Sequence, residues 1–302
     1  MTRRALLASL SALAARYSRA AEKLPANRNV KWALGSNLWN YFPRVPFTDI
    51  LDVMKDTGFI GIRVTQFPQI LNTYKITQAE MEREVSKRGL HVITISFNGA
   101  AHDASRRGEV LDSAKRAMEF LKGFGADKLV VFSPNRNVMT GDAAAKETLF
   151  KNMCQCYNEL GALAQSMGFR AGLHNHMGQI VQDTDELDRC MAMTDPKLFW
   201  LSPDTAHLYL AGVDVVKALD KYRTRLMMAD YKDARHVSEK LQDNIFDLGD
   251  GEVDFPGCHR VLKSIHFDGW LCVDLDTARQ GPRASYERCG KYIVEKLEPI
   301  YV

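Results

Sequence analysis

Two histidines two residues apart, His174 and His176, close a short apolar run that begins at Arg170. On a β-strand, side chains at i and i+2 leave the same face, so both imidazoles would look into one space. Three later runs end on acidic residues: Ser202-Pro203-Asp204-Thr205-Ala206-His207, Ala229-Asp230-Tyr231-Lys232-Asp233 and Val273-Asp274-Leu275-Asp276. One imidazole with several carboxylate oxygens suits a divalent cation (Mn, Mg, Co or Zn) far better than a soft metal. Asp204, Asp230 and Asp274, one carboxylate each, would join His174 as four protein ligands and leave positions for substrate oxygens. A single aspartate after a strand more often caps a helix or sits in a turn. What favours a site is their recurrence on consecutive strands. Asp233 and Asp276 read as supporting or loop residues, and Asp250 and Asp254 as turn residues. His207 is a candidate to bind a substrate hydroxyl. His91, His102, His236, His259 and His266 read as structural or surface residues.

Positioning these groups takes a scaffold that brings strand ends together. Strand-like runs at 30–37, 61–67, 91–98, 128–132, 170–181, 198–205, 226–233 and 269–276 alternate with helical patterns at 47–57, 78–88, 109–124, 143–167, 185–193, 215–222, 258–266 and 283–297. Several boundaries carry their own signals, such as Pro46 before a helix, Thr77 as a cap and Gly58, Gly89, Gly125 and Gly168 as stops. Eight strand–helix units predict an α/β fold, a (β/α)8 TIM barrel, as a single domain over residues 28–302. An open doubly wound sheet would show a Gly-rich turn after its first strand, and Gly35-Ser36-Asn37 is not one. In a barrel the site lies at the C-terminal strand ends. The first four strands offer only polar groups there: Asn37, Gln66, Asn98 and Asn135-Arg136. Of these, Asn37 and Asn98 are candidates to bind substrate hydroxyls. Metal-capable groups are concentrated on strands five to eight.

Composition sets the outer bounds. The 302 residues are 46% hydrophobic and 25% charged with a formal net charge of +3, ordinary for a globular chain and without a basic block that would meet nucleic acid. Residues 1–20 join Arg3-Arg4 to a weakly apolar stretch and small residues, the pattern of an export signal of twin-arginine type. Export to the periplasm is therefore expected, with a cytoplasmic protein carrying an amphipathic N-terminal helix as the alternative. The segment is too short to span a membrane, so no stable membrane insertion is expected. The six cysteines form no Cys-x-x-Cys pair and read as buried small hydrophobes. Arg136 and Arg279 could meet a phosphate, but no Gly-rich cradle accompanies them. A homo-oligomer is compatible with the sequence.

Taken together, His174-Asn175-His176-Met177-Gly178, Asp204-Thr205-Ala206-His207-Leu208, Lys232-Asp233, the run from Leu248 to Pro256 and Gly269-Trp270-Leu271 resemble the sugar phosphate isomerase/epimerase superfamily of xylose isomerase-like barrels. The pattern is most similar to the branch containing 2-keto-myo-inositol dehydratase, over about residues 30 to 298. Epimerase members commonly place Glu, Asp, His and Glu on strands five to eight around one divalent ion. The matching positions here hold His174, Asp204, Asp230 and Asp274. The strand-five His is shared with the dehydratase-like branch, whereas Asp230 for His and Asp274 for Glu are departures. The resemblance implies proton abstraction beside a sugar carbonyl, with His176 and Asp274 as acid/base groups and Lys232 as an electrostatic or proton-donating partner. A dication nearby would depress the lysine pKa. A metal-dependent isomerase or epimerase acting on a small carbohydrate is the first reading. A dehydratase or lyase on a keto-sugar or keto-inositol is the second, and an exported sugar-binding barrel without turnover the third. A DNA-repair endonuclease on this fold would need more His and Glu ligands and a basic groove.

Overall fold

Eight parallel strands follow one another around a ring. They are β1 Val30–Gly35, β2 Gly61–Val64, β3 His91–Phe97, β4 Lys128–Phe132, β5 Arg170–His174, β6 Phe199–Leu201, β7 Ala229–Tyr231 and β8 Gly269–Val273. The computed structural model describes residues 29–301, so the expected export signal at 1–20 lies outside the described residues. Hydrogen-bonded order runs from β6 back through β1 to β8 and β7, and bridges Leu201–Leu226 and Asp204–Asp230 nearly close the ring. The expected TIM barrel is thus the observed fold.

All eight expected helices are present outside the ring, and local chemistry sets several of their ends. Thr77 and Glu80 form a reciprocal capping box at the start of Gln78–Lys87. Asp183 and Glu186 do the same for Thr184–Met193. Gly89 follows the first of these helices at φ +68°, a conformation that side chains with a Cβ rarely adopt. No helix among the described residues is long and apolar enough to cross a membrane.

The core has two layers. Outward-facing residues such as Ile62, Val64, Leu129, Leu173 and Leu271 pack beneath the helices. A smaller cluster, Ala33, Ile93, Val130, Met227, Met228 and Cys272, lies apart from that layer. Stepping two residues along a strand keeps the same face. From Met228 that step reaches Asp230, from Cys272 it reaches Asp274, and from Val130 it reaches Phe132. The apolar cluster therefore serves as the floor on which the polar groups stand.

Strands six and seven are shorter than their apolar patterns, at three residues each. Pro203 has no N–H for the ladder, and Asp204 already caps an unexpected helix, Thr205–Leu210. Strand five likewise ends at His174 rather than continuing to residue 181.

Candidate active site

The backbone of the β6 and β7 ends is tied together by side chains. Asn175 accepts from the Asp204 amide through Oδ1 (3.0 Å) and donates to the Asp204 carbonyl through Nδ2 (3.3 Å). Thr205 Oγ1 donates to the Lys232 carbonyl (2.8 Å) and accepts from the Lys232 amide (3.0 Å). The Asp230 amide donates to the Pro203 carbonyl at 2.8 Å. These bonds fix Asp204, Asp230 and Lys232 relative to one another before any charge interaction is considered.

Asp204 serves in two ways. Its Oδ1 caps the short helix by accepting from the His207 amide (3.1 Å), while Oδ2 faces His174 Nε2 at 3.7 Å and Lys232 Nζ at 3.0 Å. The helix-cap reading of this residue holds, and its other oxygen faces the charged cluster. His174, Asp204 and Asp230 are all fully buried, and ligand atoms on the three lie within 4.8 Å of one another. His176, His207 and Asp276 form a second such group nearer the rim. The rings of His176 and His207 are 3.5 Å apart between centroids, and His207 Nε2 is 3.5 Å from Asp276 Oδ2.

Two cations are set among these acids. Arg63, on β2, is 1% exposed and contacts Asp230 Oδ2 through Nη1 and Asp274 Oδ1 through Nη2 (2.7 Å). Lys232 Nζ lies 3.0 Å from Asp204, 2.8 Å from Asp274 and 2.8 Å from Asp276. Burial alone would lower the lysine pKa, but Asp204, Asp274 and Asp276 outweigh it and hold the ammonium well above its usual value. Burial would also raise Asp204, yet the Lys232 ammonium, with His207 and His174, holds that carboxyl below its usual range.

Four carboxylates thus face two fixed cations, a formal excess of negative charge. Asp230 is pushed up to about 8, chiefly by burial, with Arg63 opposing and Asp274 and Asp204 adding to the effect. A divalent ion would relieve this excess. The imidazole of His174 is prepared for one. Its Nδ1 faces the Ser202 carbonyl at 3.1 Å and Asp230 Oδ2 at 3.2 Å, which assigns the proton to Nδ1 and the lone pair to Nε2. That Nε2 is buried without a hydrogen-bond partner, as is Asp230 Oδ1. A buried imidazole whose other nitrogen is fixed by a carbonyl or carboxylate is the usual arrangement of a metal ligand. The residues present therefore fit a divalent ion, with His174, Asp204 and Asp230 as its holders.

The remaining expected residues fall in different places. Asn37 Nδ2 donates to the Leu275 carbonyl (2.9 Å) and to Asp276 Oδ1 (3.1 Å), so it belongs to the mouth. Asn98 is exposed and lines a separate cavity of about 530 Å³ with Gln66, Ser96 and Arg116, away from the charged cluster. Asp274, expected as a ligand and acid/base group, has a cation on each oxygen. Asp276, read from sequence as a supporting residue, is in direct contact with Lys232 and His207. Asp233 does support a loop, accepting from the amides of Gly249 (2.8 Å), Gly251 (2.9 Å) and Val253 (3.1 Å). Asp254 caps the helix Phe255–Ser264 and Asp250 pairs with Arg288. Arg136 pairs with Glu186, and Arg279 stacks on Phe246 at 4.5 Å. Arg63 was not foreseen. The signal for it was a lone charge inside the apolar strand Gly61-Ile62-Arg63-Val64, which must find acidic partners if buried.

A family model described as a xylose isomerase-like TIM barrel matches residues 51–290. Among curated relatives, an inosose dehydratase of Clostridium perfringens (strain 13 / Type A) is 30% identical over 240 residues, covering 70% of this chain and 81% of that one. An inosose dehydratase of Geobacillus thermodenitrificans (strain NG80-2) is 28% identical over 275 residues, covering 83% of this chain and 90% of its own. Among solved structures, the IOLI protein with a binding zinc atom superposes with a TM-score of 0.73 at 15% identity, covering 89% of this chain and 99% of that one. At that identity the likeness concerns the fold.

Proposed function

The chain belongs to the xylose isomerase-like TIM barrel family, and from that premise we propose that it is a lyase that removes water from a keto-sugar or keto-inositol. Relatives named inosose dehydratase favour this eliminating reading over the isomerase or epimerase that the sequence placed first. The observation that carries the proposal is a base and an acid held side by side at the mouth. His176 Nδ1 faces the Met177 carbonyl at 2.9 Å, which leaves its Nε2 as a lone pair. Burial, then His207 and Lys232, lower its pKa to about 4, so it is neutral and able to accept a proton at neutral pH. Next to it, His207 Nε2 lies 3.4 Å from the Lys232 ammonium, which three carboxylates keep protonated. Elimination needs both states at once, because one carbon loses a proton while its neighbour loses hydroxide as water.

In this reading His176 takes the proton from the carbon beside the carbonyl. Lys232 donates to the departing β-hydroxyl, with Asp276 orienting the ammonium through its 2.8 Å contact. His207 and Asn37 hold substrate hydroxyls. Asp274 orients Lys232 and Arg63 rather than moving a proton. A divalent ion bound by His174, Asp204 and Asp230 would supply Lewis-acid polarisation of the substrate carbonyl.

The test is incubation of the protein with keto-inositols and keto-sugars in deuterated water, followed by mass spectrometry. A product lighter by one water is expected. Deuterium incorporation with full retention of oxygen would instead establish the isomerase reading, and neither change across the panel would leave a binding barrel.

A further inference from the structure

The geometry around Arg63 points to a role beyond neutralising buried acids, and it rests on the reading of this site as a divalent-ion site. We infer that Arg63 is a positioning residue that withdraws Asp274 from the ion's ligands and competes with the ion for Asp230, leaving His174 and Asp204 as its anchors.

Three features of the structure carry this inference. First, the guanidinium spans two of the four side chains that the strand ends offer as ligands. Nη1 is on Asp230 Oδ2 and Nη2 is 2.7 Å from Asp274 Oδ1. With Lys232 Nζ 2.8 Å from Asp274 Oδ2, both Asp274 oxygens already face protein cations. An ion that used Asp274 would have to displace one of them or sit against its charge. Second, the barrel makes room for this pairing on the strand between the partners. Gly35 of β1 is the register partner of Arg63, and β1 also pairs with β8, which leads into Asp274. A Cβ on Gly35 would fall 2.2 Å from Asp274 Oδ1, so the glycine is what lets the carboxylate lie towards Arg63. Third, the atoms on the inner face differ in what meets them. His174 Nε2, Asp204 Oδ2, Asp230 Oδ1 and Asp274 Oδ1 are all buried without hydrogen-bond partners. Asp274 Oδ1, however, has the Arg63 guanidinium against it as an ion pair and Asp230 Oδ2 is taken by Arg63, whereas His174 Nε2 has no protein cation on it.

A planar guanidinium that places one Nη on each of two carboxylates fixes their separation and orientation, which a single ammonium does not. The consequence for ion binding is direct. A fixed positive charge on the shared carboxylate weakens the hold on a second cation, and a shorter ligand set weakens it further. The ion would then exchange readily in a barrel whose acids stay paired without it.

Cobalt(II) titrated into the full-length protein tests this, read by calorimetry and by its visible absorption, which reports the ligand set. In Arg63→Met, released Asp274 is expected to join the ion, with affinity rising by about tenfold or more and the absorption spectrum changing shape. In the otherwise unaltered protein, Asp274→Asn is expected to change affinity by no more than about fivefold, while Asp204→Asn costs about a hundredfold. A folded Arg63→Met protein with equal or weaker cobalt affinity would overturn the inference. So would loss of cobalt in Asp274→Asn as severe as in Asp204→Asn, a comparison that decides the matter if Arg63→Met does not fold. Cobalt binding by Arg63→Met but not by the unaltered protein would support the inference while removing the ion from the proposed reaction. No binding by any of them would overturn both, leaving the dehydration itself to be judged by the product assay.

Discussion

The inner group, His174, Asp204 and Asp230, and the outer group, His176, His207 and Asp276, are made from the same two residue types. The inner one is sealed, and its neighbours are Arg63, a strand carbonyl and the apolar floor. The outer one, with His207 buried and His176 and Asp276 partly exposed, meets Lys232 and Asn37 through Asp276. Identical chemistry is thus divided by depth. A sealed group with orphaned lone pairs and excess negative charge suits an ion, while a group nearer the rim with a neutral imidazole beside an ammonium suits proton transfer. Asp204 joins the two, with Oδ2 3.7 Å from His174 Nε2 and 3.9 Å from His207 Nε2.

Asp204→Asn should therefore have the largest effect, since it touches both groups: turnover is expected to fall about ten-thousandfold or more, with loss of bound metal. Steady-state kinetics with elemental analysis would check this, and loss of activity with full metal content would mean that the two groups are not joined through this residue. Lys232→Met leaves Asp204, Asp274 and Asp276 without their shared cation. A buried charge stripped of its partner costs about 3–5 kcal/mol, so the urea midpoint should drop well below that of the parent protein.

His176→Gln separates the groups most cleanly. The expected result is a fall in kcat of about a hundredfold to a thousandfold with metal content unchanged. Metal loss in this variant would place His176 in the inner set and erase the distinction by depth.

The smallest effect concerns pH, and it sets a site histidine against one outside the site. His259 is buried beneath the helices, where its Nδ1 lies 2.9 Å from the Tyr231 hydroxyl, and burial lowers its pKa to about 4. Above 6.5 this imidazole is neutral whether the chain is folded or not. As the pH falls from 6.5 towards 4, the unfolded chain takes up the proton first, so stability declines, and the loss levels off once the folded protein is protonated too. Thermal melts over that range should show a shallower slope for His259→Phe than for the parent. By contrast kcat/KM, governed by His176, should stay level through 6.5 and fall only near 4.

The eight-strand count and the helices between them were legible because they rest on local physics. Alternation at period two, caps such as Thr77 and stops such as Gly89 act over a few residues. The same alternation placed Asp230 and Asp274 at barrel strand ends and brought His174 and Asp204 to the same mouth. What the pattern could not give was who faces whom across the barrel. Asn98 shares its strand-end position with the site residues, but it turns outward into another cavity. Asp276 read as a supporting or loop residue, and only the fold set it on Lys232. Arg63 and Asp230 are 167 positions apart, and no periodicity links them. Their pairing depends on the register of the sheet and on the space left at Gly35, quantities that exist only once the ring has formed. The sequence alone determined a barrel with an acidic, histidine-bearing mouth. Tertiary structure decided which of its acids remain available, because a buried arginine satisfies its charge with whatever carboxylates the closed barrel places within reach.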